Sequence, residues 1–215
     1  MSFNVMRALL SPEQVALLRA RLADGSWIDG RATAGAEAAR VKNNLQLDLA
    51  SPAHEELSEI VKGALHASDA FKALALPRRT STLLFSRYDA GMEYGPHTDD
   101  AYRARELLRS DLAVTVFLSE PDRYEGGALV VGDSAIRLAA GDAVIYPASS
   151  IHRVAAVTHG TRLAVVFWVQ SLVRDESRRE ILITLQSVIG RVGSPTLSLA
   201  LARVQQNLLR MWAEP

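Results

Sequence analysis

The sequence predicts an α+β protein whose β-rich centre is flanked on both sides by helical segments. Apolar residues recur with helical spacing before about residue 76 and after about residue 174. Between residues 80 and 171 a series of strand-like runs alternates with turn-forming dipeptides. Short strands at this spacing favour a sandwich or jelly roll over a parallel α/β sheet. With 215 residues, of which 48% are apolar, the chain can bury the core of one elaborated domain.

The composition excludes several classes of function. Basic and acidic residues number 24 each, and this neutral balance disfavours nucleic acid as a partner. The absence of cysteine excludes disulfides, thiolate metal sites and cysteine nucleophiles. No apolar stretch is long enough to span a membrane, and the short apolar run before residue 11 is not typical of a signal peptide. We therefore expect a cytoplasmic protein with no membrane partner.

The first zone, residues 1–79, is expected to be mainly helical. Ser11–Gln14 offers an N-cap, a proline at the first helical position and a glutamine at N3, and Ser51-Pro52 starts a second helix. The segment between these helices is predicted to be an ordered loop with at most a short strand. His54 and His66 lie on predicted helices among charged and small residues, so both are expected to be exposed to solvent.

The second zone, residues 80–173, carries the predicted β core. Leu112, Val114, Val116 and Leu118 alternate with other residues, a pattern typical of a half-buried strand. The third zone, residues 174–215, returns to helix. Its last helix, capped by Ser194-Pro195, has an apolar stripe that we expect to pack on the β core, with a homodimer contact as the alternative. The stripe consists of Leu197, Leu201, Val204, Leu208 and Trp212.

A His-x-Asp triplet within the β zone is the first candidate functional feature. His97 and Asp99 point to the same face if residues 96–100 are extended. The chain has only five histidines, and His152, at the start of a predicted strand, is the best third ligand. His159 is followed by glycine and is expected in a turn. Two histidines and one carboxylate form the facial arrangement of non-haem Fe(II) enzymes, although the same residues could bind Zn(II).

An acid such as 2-oxoglutarate needs a cation for the carboxylate that lies away from the metal. Arginine binds a carboxylate through two parallel hydrogen bonds. Arg162, ten residues after His152, is the candidate for this role. A three-residue loop, His159–Thr161, would place both side chains on the same side of neighbouring antiparallel strands. In that register Ala164, Val166, Trp168 and Gln170 share the face of Arg162, and Trp168 forms a pocket wall.

At this point the sequence resembles a known family. The blocks "LFSRYDAGMEYGPHTD", "DLAVTVFLSEPDRYEGGALVV", "AAGDAVIYPASSIHRVAAVTHGTRLAVVFWVQ" and "NLLRMWAE" are similar to those of the bacterial PKHD-type hydroxylases, which are Fe(II)- and 2-oxoglutarate-dependent oxygenases. The resemblance implies a double-stranded β-helix (jelly-roll) core with N-terminal helices and a C-terminal helical extension. The oxygenase domain would then span residues 1–173 and the extension 174–215.

The resemblance also implies the residues of the site. His97, Asp99 and His152 would bind iron, Arg162 would bind 2-oxoglutarate, and Tyr88 would point at this cosubstrate. Asp100 stands where relatives are expected to have glycine, which predicts an extra carboxylate near the mouth of the pocket.

The implied reaction is hydroxylation by O2 with release of succinate and CO2, with L-ascorbate keeping the iron ferrous. The substrate stays open between prolyl or lysyl groups and a small molecule. Candidates for pocket wall or substrate contact are Lys42, Asn43, Asn44, Tyr94 and Trp168. The alternative is a non-redox, cupin-like metal-binding protein or sensor.

Overall fold

The computed structural model describes residues 3–214 and consists of two facing antiparallel sheets with helices on the outer side of the larger sheet. The helices are α1 (Pro12–Ala23), α2 (Ala36–Arg40), α3 (Pro52–Ala67), α4 (Asp69–Ala75), α5 (Glu176–Ile189) and α6 (Pro195–Trp212), with a 3-10 turn at Gly30–Thr33. The strands are β1 (Asn4–Met6), β2 (Trp27–Asp29), β3 (Lys42–Asn43), β4 (Leu45–Leu47), β5 (Pro77–Thr80), β6 (Leu84–Asp89), β7 (Glu93–His97), β8 (Tyr102–Arg103), β9 (Leu108–Arg109), β10 (Leu112–Phe117), β11 (Tyr124–Gly126), β12 (Leu129–Val131), β13 (Ser134–Ile136), β14 (Ala143–Pro147), β15 (His152–Val154) and β16 (Val157–Ser171).

The larger sheet, called the major sheet below, has the order β1-β14-β10-β16-β6-β4-β2, and β5 and β11 also pair with β16. The smaller, or minor, sheet has the order β13-β12-β15-β7-β3, and β8 and β9 form a separate hairpin. The non-consecutive neighbours are typical of a jelly roll rather than of a meander. Five strands precede residue 81, so the first zone is mainly helical, as predicted, but also contributes strands to both sheets.

The central strand β10 is buried on both faces, which corrects the prediction of a half-buried strand. Val114 and Val116 face the helical layer, in one apolar cluster with Leu57 of α3. Ala113 and Phe117 point the other way and pack with residues of the minor sheet. Alternation along β10 therefore separates two cores, because helices cover one side of the major sheet and the minor sheet covers the other.

The N-terminal helices begin where their capping residues predict. Ser11 and Gln14 form a capping box at α1, and Pro52 is the first residue of α3. His54 is not exposed as expected. It is buried, its Nε2 lies 2.7 Å from the carbonyl oxygen of Leu83, and its ring meets Phe85 edge-on. The reason is its position on the apolar face of α3, one turn before the buried Leu57.

The predicted turn at His159–Thr161 is wrong. These residues lie inside β16, a continuous strand of 15 residues, and the chain passes from β15 of the minor sheet to β16 of the major sheet at residues 155–156. Gly160 has a φ of +74° and bends the strand where its pairing passes from β11 to β6. His152 and Arg162 consequently belong to different sheets and face each other across the space between them.

The two C-terminal helices form a separate layer. α5 packs on α4 and buries Leu182, whereas α6 packs on α5 and has no fully buried residue. Leu197 and Val204 of the predicted stripe are 51% and 50% exposed, so the stripe is covered only in part. The expected packing on the β core is therefore indirect, and contact with a second copy of the chain stays a prediction. Within residues 3–214 no helix has the length and apolar character needed to cross a bilayer.

Candidate metal centre and cosubstrate pocket

The two candidate histidine ligands are directly opposite each other on neighbouring strands of the minor sheet. His97 ends β7, His152 begins β15, and the two residues are cross-strand partners in the antiparallel ladder. Their ring centroids are 4.2 Å apart. Asp99 follows β7 by two residues, so that one potential ligand atom from each of the three residues lies within 4.8 Å of the others. The fold thus brings together residues that are more than 50 positions apart in the sequence.

Backbone carbonyls orient both imidazole rings. Nδ1 of His97 lies 2.8 Å from the carbonyl oxygen of Gly95, and Nδ1 of His152 lies 3.0 Å from that of Ser150. A carbonyl oxygen only accepts hydrogen bonds, so each neutral ring donates from Nδ1–H and keeps its lone pair on Nε2. This tautomer is the one in which Nε2 binds a metal ion, with the carbonyl as the outer partner of the ring.

The electrostatics of the three residues fit a bound cation. Burial, with the nearby His152 as a second cause, lowers the pKa of His97 to about 4, so the ring is neutral at pH 7. Burial raises the pKa of Asp99, whose Oδ2 is buried without a hydrogen-bond partner and lies 3.8 Å from Nε2 of His152. A buried, unpartnered carboxylate oxygen is costly. A divalent ion between the three residues would remove that cost, so the residues present fit the metal that the motif implies.

The side chain of Arg162 enters the same cavity from the major sheet. It is 1% exposed, and its guanidinium carbon lies 5.3 Å from the ring centroid of Tyr88 and 5.4 Å from that of Phe117. Nε and Nη2 are buried and have no hydrogen-bond partner in the described part of the chain. Tyr88 is the cross-strand partner of Arg162, and burial raises its pKa to about 12, which keeps its hydroxyl protonated. Two free parallel N–H donors fit a carboxylate.

A cleft between the two sheets connects the guanidinium with the metal-binding residues. It encloses about 700 Å³, counted to its open mouth, which is in the range of small-molecule sites. Trp168 lines it, as expected for a pocket wall, and the guanidinium of Arg103 lies 3.9 Å above the Trp168 ring. Arg103 also forms an ion pair with Glu106 at 2.8 Å, so this arginine closes one side of the mouth.

Several polar residues of the cleft were missed from the sequence, among them Gln46, Ser86, Thr115 and Tyr146. Thr115 lies in the middle of β10 and Tyr146 near the end of β14, and both are buried and line the cavity. The ring centroid of Tyr146 is 5.2 Å from that of His152, and burial raises the pKa of Tyr146. Thr115 could have been found, because it is the single hydroxyl residue in an otherwise apolar strand. No comparable signal marked Tyr146, since tyrosine is common in strands.

The predicted substrate-contact residues separate into two groups. Lys42 of β3 and Tyr94 of β7 are cross-strand partners, and both line the cleft. The Tyr94 ring stacks on the His97 ring, with 3.6 Å between the ring centroids. Asn43 points out of the cleft, because successive residues of a strand alternate, and donates to the carbonyl of Gly91. Asn44 is buried but packs against Gly30, where a Cβ would come within 1.9 Å of its Oδ1. Neither asparagine lines the cleft, which corrects the prediction for these two residues.

Comparisons with known proteins agree on one family. The profile of the 2OG-Fe(II) oxygenase superfamily matches residues 83–170. The PKHD-type hydroxylase of Methylobacterium nodulans is 46% identical over 219 aligned residues, which cover 96% of each chain. The PKHD-type hydroxylase YbiX of Escherichia coli O1:K1 is 43% identical over 217 residues, again with 96% of each chain covered.

A solved structure shows the same fold at lower sequence identity. The viral collagen prolyl hydroxylase vCPH from Paramecium Bursaria Chlorella virus-1, in its 2OG complex, matches with a TM-score of 0.56 and 16% identity. The match covers 80% of this chain and 97% of that chain. It confirms the predicted jelly-roll core. Together with nearly full-length identity above 40%, it leads to one conclusion: the chain belongs to the PKHD-type hydroxylases of the 2OG-Fe(II) oxygenase superfamily.

Proposed function

We propose that this protein hydroxylates a C–H bond of an organic substrate with Fe(II), 2-oxoglutarate and O2, and that succinate and CO2 are the coproducts. One observation supports this proposal most. A cluster of two histidines and a carboxylate opens into the same cleft as a buried arginine with two unpartnered nitrogens. Family membership supports the choice of iron and 2-oxoglutarate.

The chain's own residues divide the work of binding. His97, Asp99 and His152 would hold the iron through three donors, the ligand set typical of non-haem Fe(II) oxygenases. When bound, the iron and 2-oxoglutarate supply the oxidising chemistry that a protein side chain lacks. Arg162 pairs with the distal carboxylate of 2-oxoglutarate, and the protonated hydroxyl of Tyr88 is a neighbouring donor.

The walls of the cleft orient the substrate and exclude water. Tyr94 stacks on His97 on one side of the mouth, and the Arg103–Trp168 pair covers another side. Exclusion of water protects the reactive state from side reactions and strengthens the electrostatic contacts inside the site. L-Ascorbate would be the reductant that keeps the metal ferrous.

A purely metal-binding role, as in a cupin-like sensor, does not account for Arg162. A sensor needs the three metal ligands and a conformational response elsewhere in the fold. It does not need an anion to pair with the buried guanidinium of Arg162. The unpartnered nitrogens of Arg162 therefore favour an enzyme with an acidic cosubstrate over a sensor.

The test is anaerobic loading with Fe(II), followed by addition of O2 and 2-oxoglutarate and measurement of succinate. We expect slow succinate formation without added substrate, because many such sites consume some cosubstrate unproductively. Asp99→Ala should abolish it, and Asp133→Ala, which removes an exposed carboxylate in a turn, should leave it unchanged. Equal succinate formation by Asp99→Ala and the parent protein would contradict the proposed role of Asp99.

A further inference from the structure

We infer that the substrate of this enzyme carries a carboxylate that binds the ammonium group of Lys42, an inference that rests on the proposed function. Lys42 lines the cleft and is 7% exposed. It is one of only three lysines among the 24 basic residues of the chain. The other two, Lys62 and Lys72, lie on exposed helix surfaces and pair with acidic residues one turn away.

Lys42 has no acidic partner of its own. Its Nζ donates to Oγ1 of Thr33 at 3.2 Å and lies 5.1 Å from the ring centroid of Tyr94. Among residues 3–214, no carboxylate oxygen lies within 4.0 Å of this nitrogen, whereas Lys62 and Lys72 both have one. Burial lowers the pKa of Lys42 to about 8, so the amine is still mostly protonated at pH 7.

The acidic groups around the cleft are either engaged elsewhere or exposed to solvent. Asp29 forms an ion pair with Arg31, and Glu106 pairs with Arg103. Asp99 belongs to the metal cluster. Asp100 also lines the cleft, but it is exposed to solvent and forms no ion pair with Lys42. The protein itself therefore leaves the charge of Lys42 without a counter-ion.

Bound iron and 2-oxoglutarate do not supply a counter-ion for Lys42 either. The two charges of a ferrous ion and that of Arg162 are balanced by Asp99 and by the two carboxylates of 2-oxoglutarate. Among the buried groups, Lys42 then adds one positive charge that no other buried group balances, since Asp100, which also lines the cleft, is exposed to solvent, and an uncompensated buried cation is costly. A substrate with a carboxylate restores neutrality on binding, whereas a substrate without one does not.

The position of Lys42 connects this charge with the reacting end of the substrate. Lys42 is the cross-strand partner of Tyr94, and Tyr94 stacks on the candidate ligand His97. A carboxylate bound by Lys42 is thus separated from the metal-binding residues by a single aromatic ring. Because Arg162 faces the cleft from the other sheet, the substrate and 2-oxoglutarate would each have a cation of their own.

The small number of lysines gives a direct test. Protein labelled with 13C and 15N only at lysine has three side-chain signals, two of which are internal controls. The sample is saturated with Zn(II), a diamagnetic stand-in for iron, and with 2-oxoglutarate, and is then titrated with matched acids and amides. The probes are N-acetyl-L-proline, N-acetyl-L-lysine and benzoate, each against its carboxamide.

We expect at least one acid to shift the Lys42 signal saturably without shifting Lys62 or Lys72. The matching amide should bind at least about tenfold more weakly, the usual effect of losing a charge-assisted hydrogen bond. Lys42→Met should remove the difference between acid and amide, and Lys42→Arg should restore part of it. Lys62→Met, on the exposed surface of α3, is the matched control and should change nothing.

Three results would overturn the inference. The first is that none of the three acids shifts the Lys42 signal more than the Lys62 signal. The second is that Lys42→Met binds the acid as tightly as the parent protein does. In the third, 2-oxoglutarate alone saturates the Lys42 signal and Lys42→Met weakens 2-oxoglutarate binding tenfold, which would assign Lys42 to the cosubstrate. Calorimetry with Zn(II) and 2-oxoglutarate separates the two proposals: failure of that binding rejects the proposed function together with this inference, whereas intact binding with a silent Lys42 rejects the inference alone.

Discussion

Replacing Arg162 by methionine should remove 2-oxoglutarate binding without unfolding the protein. The guanidinium is 1% exposed, and Nε and Nη2 have no hydrogen-bond partner among residues 3–214. A carboxylate that fills both positions gains two charge-assisted hydrogen bonds, each contributing about 1.5–3 kcal/mol. Their loss totals about 3–6 kcal/mol, which corresponds to a fall in affinity of about 10²- to 10⁴-fold.

The stability of the unliganded protein should change little in the same variant. Removing two unpartnered buried donors relieves about 1–3 kcal/mol each. The variant also loses the contacts of the guanidinium with the rings of Tyr88 and Phe117, which contribute about 0.5–2 kcal/mol each. The two effects are of similar size, so the free energy of unfolding without ligand should shift by less than about 2 kcal/mol.

Calorimetry and thermal unfolding of the Zn(II)-loaded protein measure both effects. At 100 times its dissociation constant, 2-oxoglutarate should stabilise the parent protein by about 2.7 kcal/mol and raise its Tm by about 5–10 °C. Arg162→Met should show no such rise, and Arg162→Lys, which keeps the charge but not the planar fork, should be intermediate. Arg153→Met is the exposed control. If Arg162→Met binds 2-oxoglutarate within tenfold of the parent protein, the distal carboxylate is held elsewhere.

Three further predictions follow from the geometry. Gly160→Ala should destabilise the protein by about 1–3 kcal/mol in urea unfolding, because φ is +74° and the new Cβ would lie 2.3 Å from a backbone carbonyl oxygen. Gly63→Ala, in an open helical position, should instead stabilise it by about 0.5–1 kcal/mol, and the opposite order would contradict the assigned strain. Burial lowers the pKa of His97 from 6.5 to about 4. As the pH decreases below 6.5, the unfolded chain therefore binds this proton before the folded protein does, and the free energy of unfolding decreases. Metal-free protein should therefore lose about 1 kcal/mol more between pH 7 and pH 5 than His97→Gln does, after allowance for partial exposure of the ring, and equal losses would argue against a depressed pKa. His152→Ala should weaken Zn(II) binding at least about 100-fold in a competition titration, while His66→Ala, on an exposed helix surface, should bind like the parent protein.

The candidate metal centre was predictable because its signal is local in part. His97 and Asp99 are two residues apart, and their common face follows from strand geometry alone. His152 was found by elimination among five histidines. The pairing of His97 with His152 across two strands could not be predicted, because register depends on contacts between segments distant in sequence.

Arg162 was identified correctly as a cleft residue, but from the wrong geometry. The expected hairpin loop requires Gly160 to close a turn, whereas positive φ at this glycine bends a continuous strand instead. A turn and a bend of this kind have the same sequence signature, a glycine between two apolar runs. Only the neighbours of the strand decide between them, and those neighbours are β11 and β6.

His54 shows a different kind of error. Its charged and small neighbours suggested an exposed position, but the helical period places it three residues before the buried Leu57 and seven before the buried Val61. Periodicity was therefore the better guide than local composition. The hydrogen bond from His54 to the chain before β6 could not have been foreseen, because it joins residues 29 positions apart.

The direct cross-strand pairing of His97 and His152 makes metal binding sensitive to how the minor sheet is assembled. Sliding β7 by one residue against β15 would turn one imidazole to the opposite face and leave the ion with an incomplete shell. An ion bound there stabilises a single register of these two short strands. Iron supply would then govern the integrity of this half of the jelly roll as well as its catalytic competence, and metal-depleted protein should exchange the amide protons of β7 and β15 before those of β10 and β16.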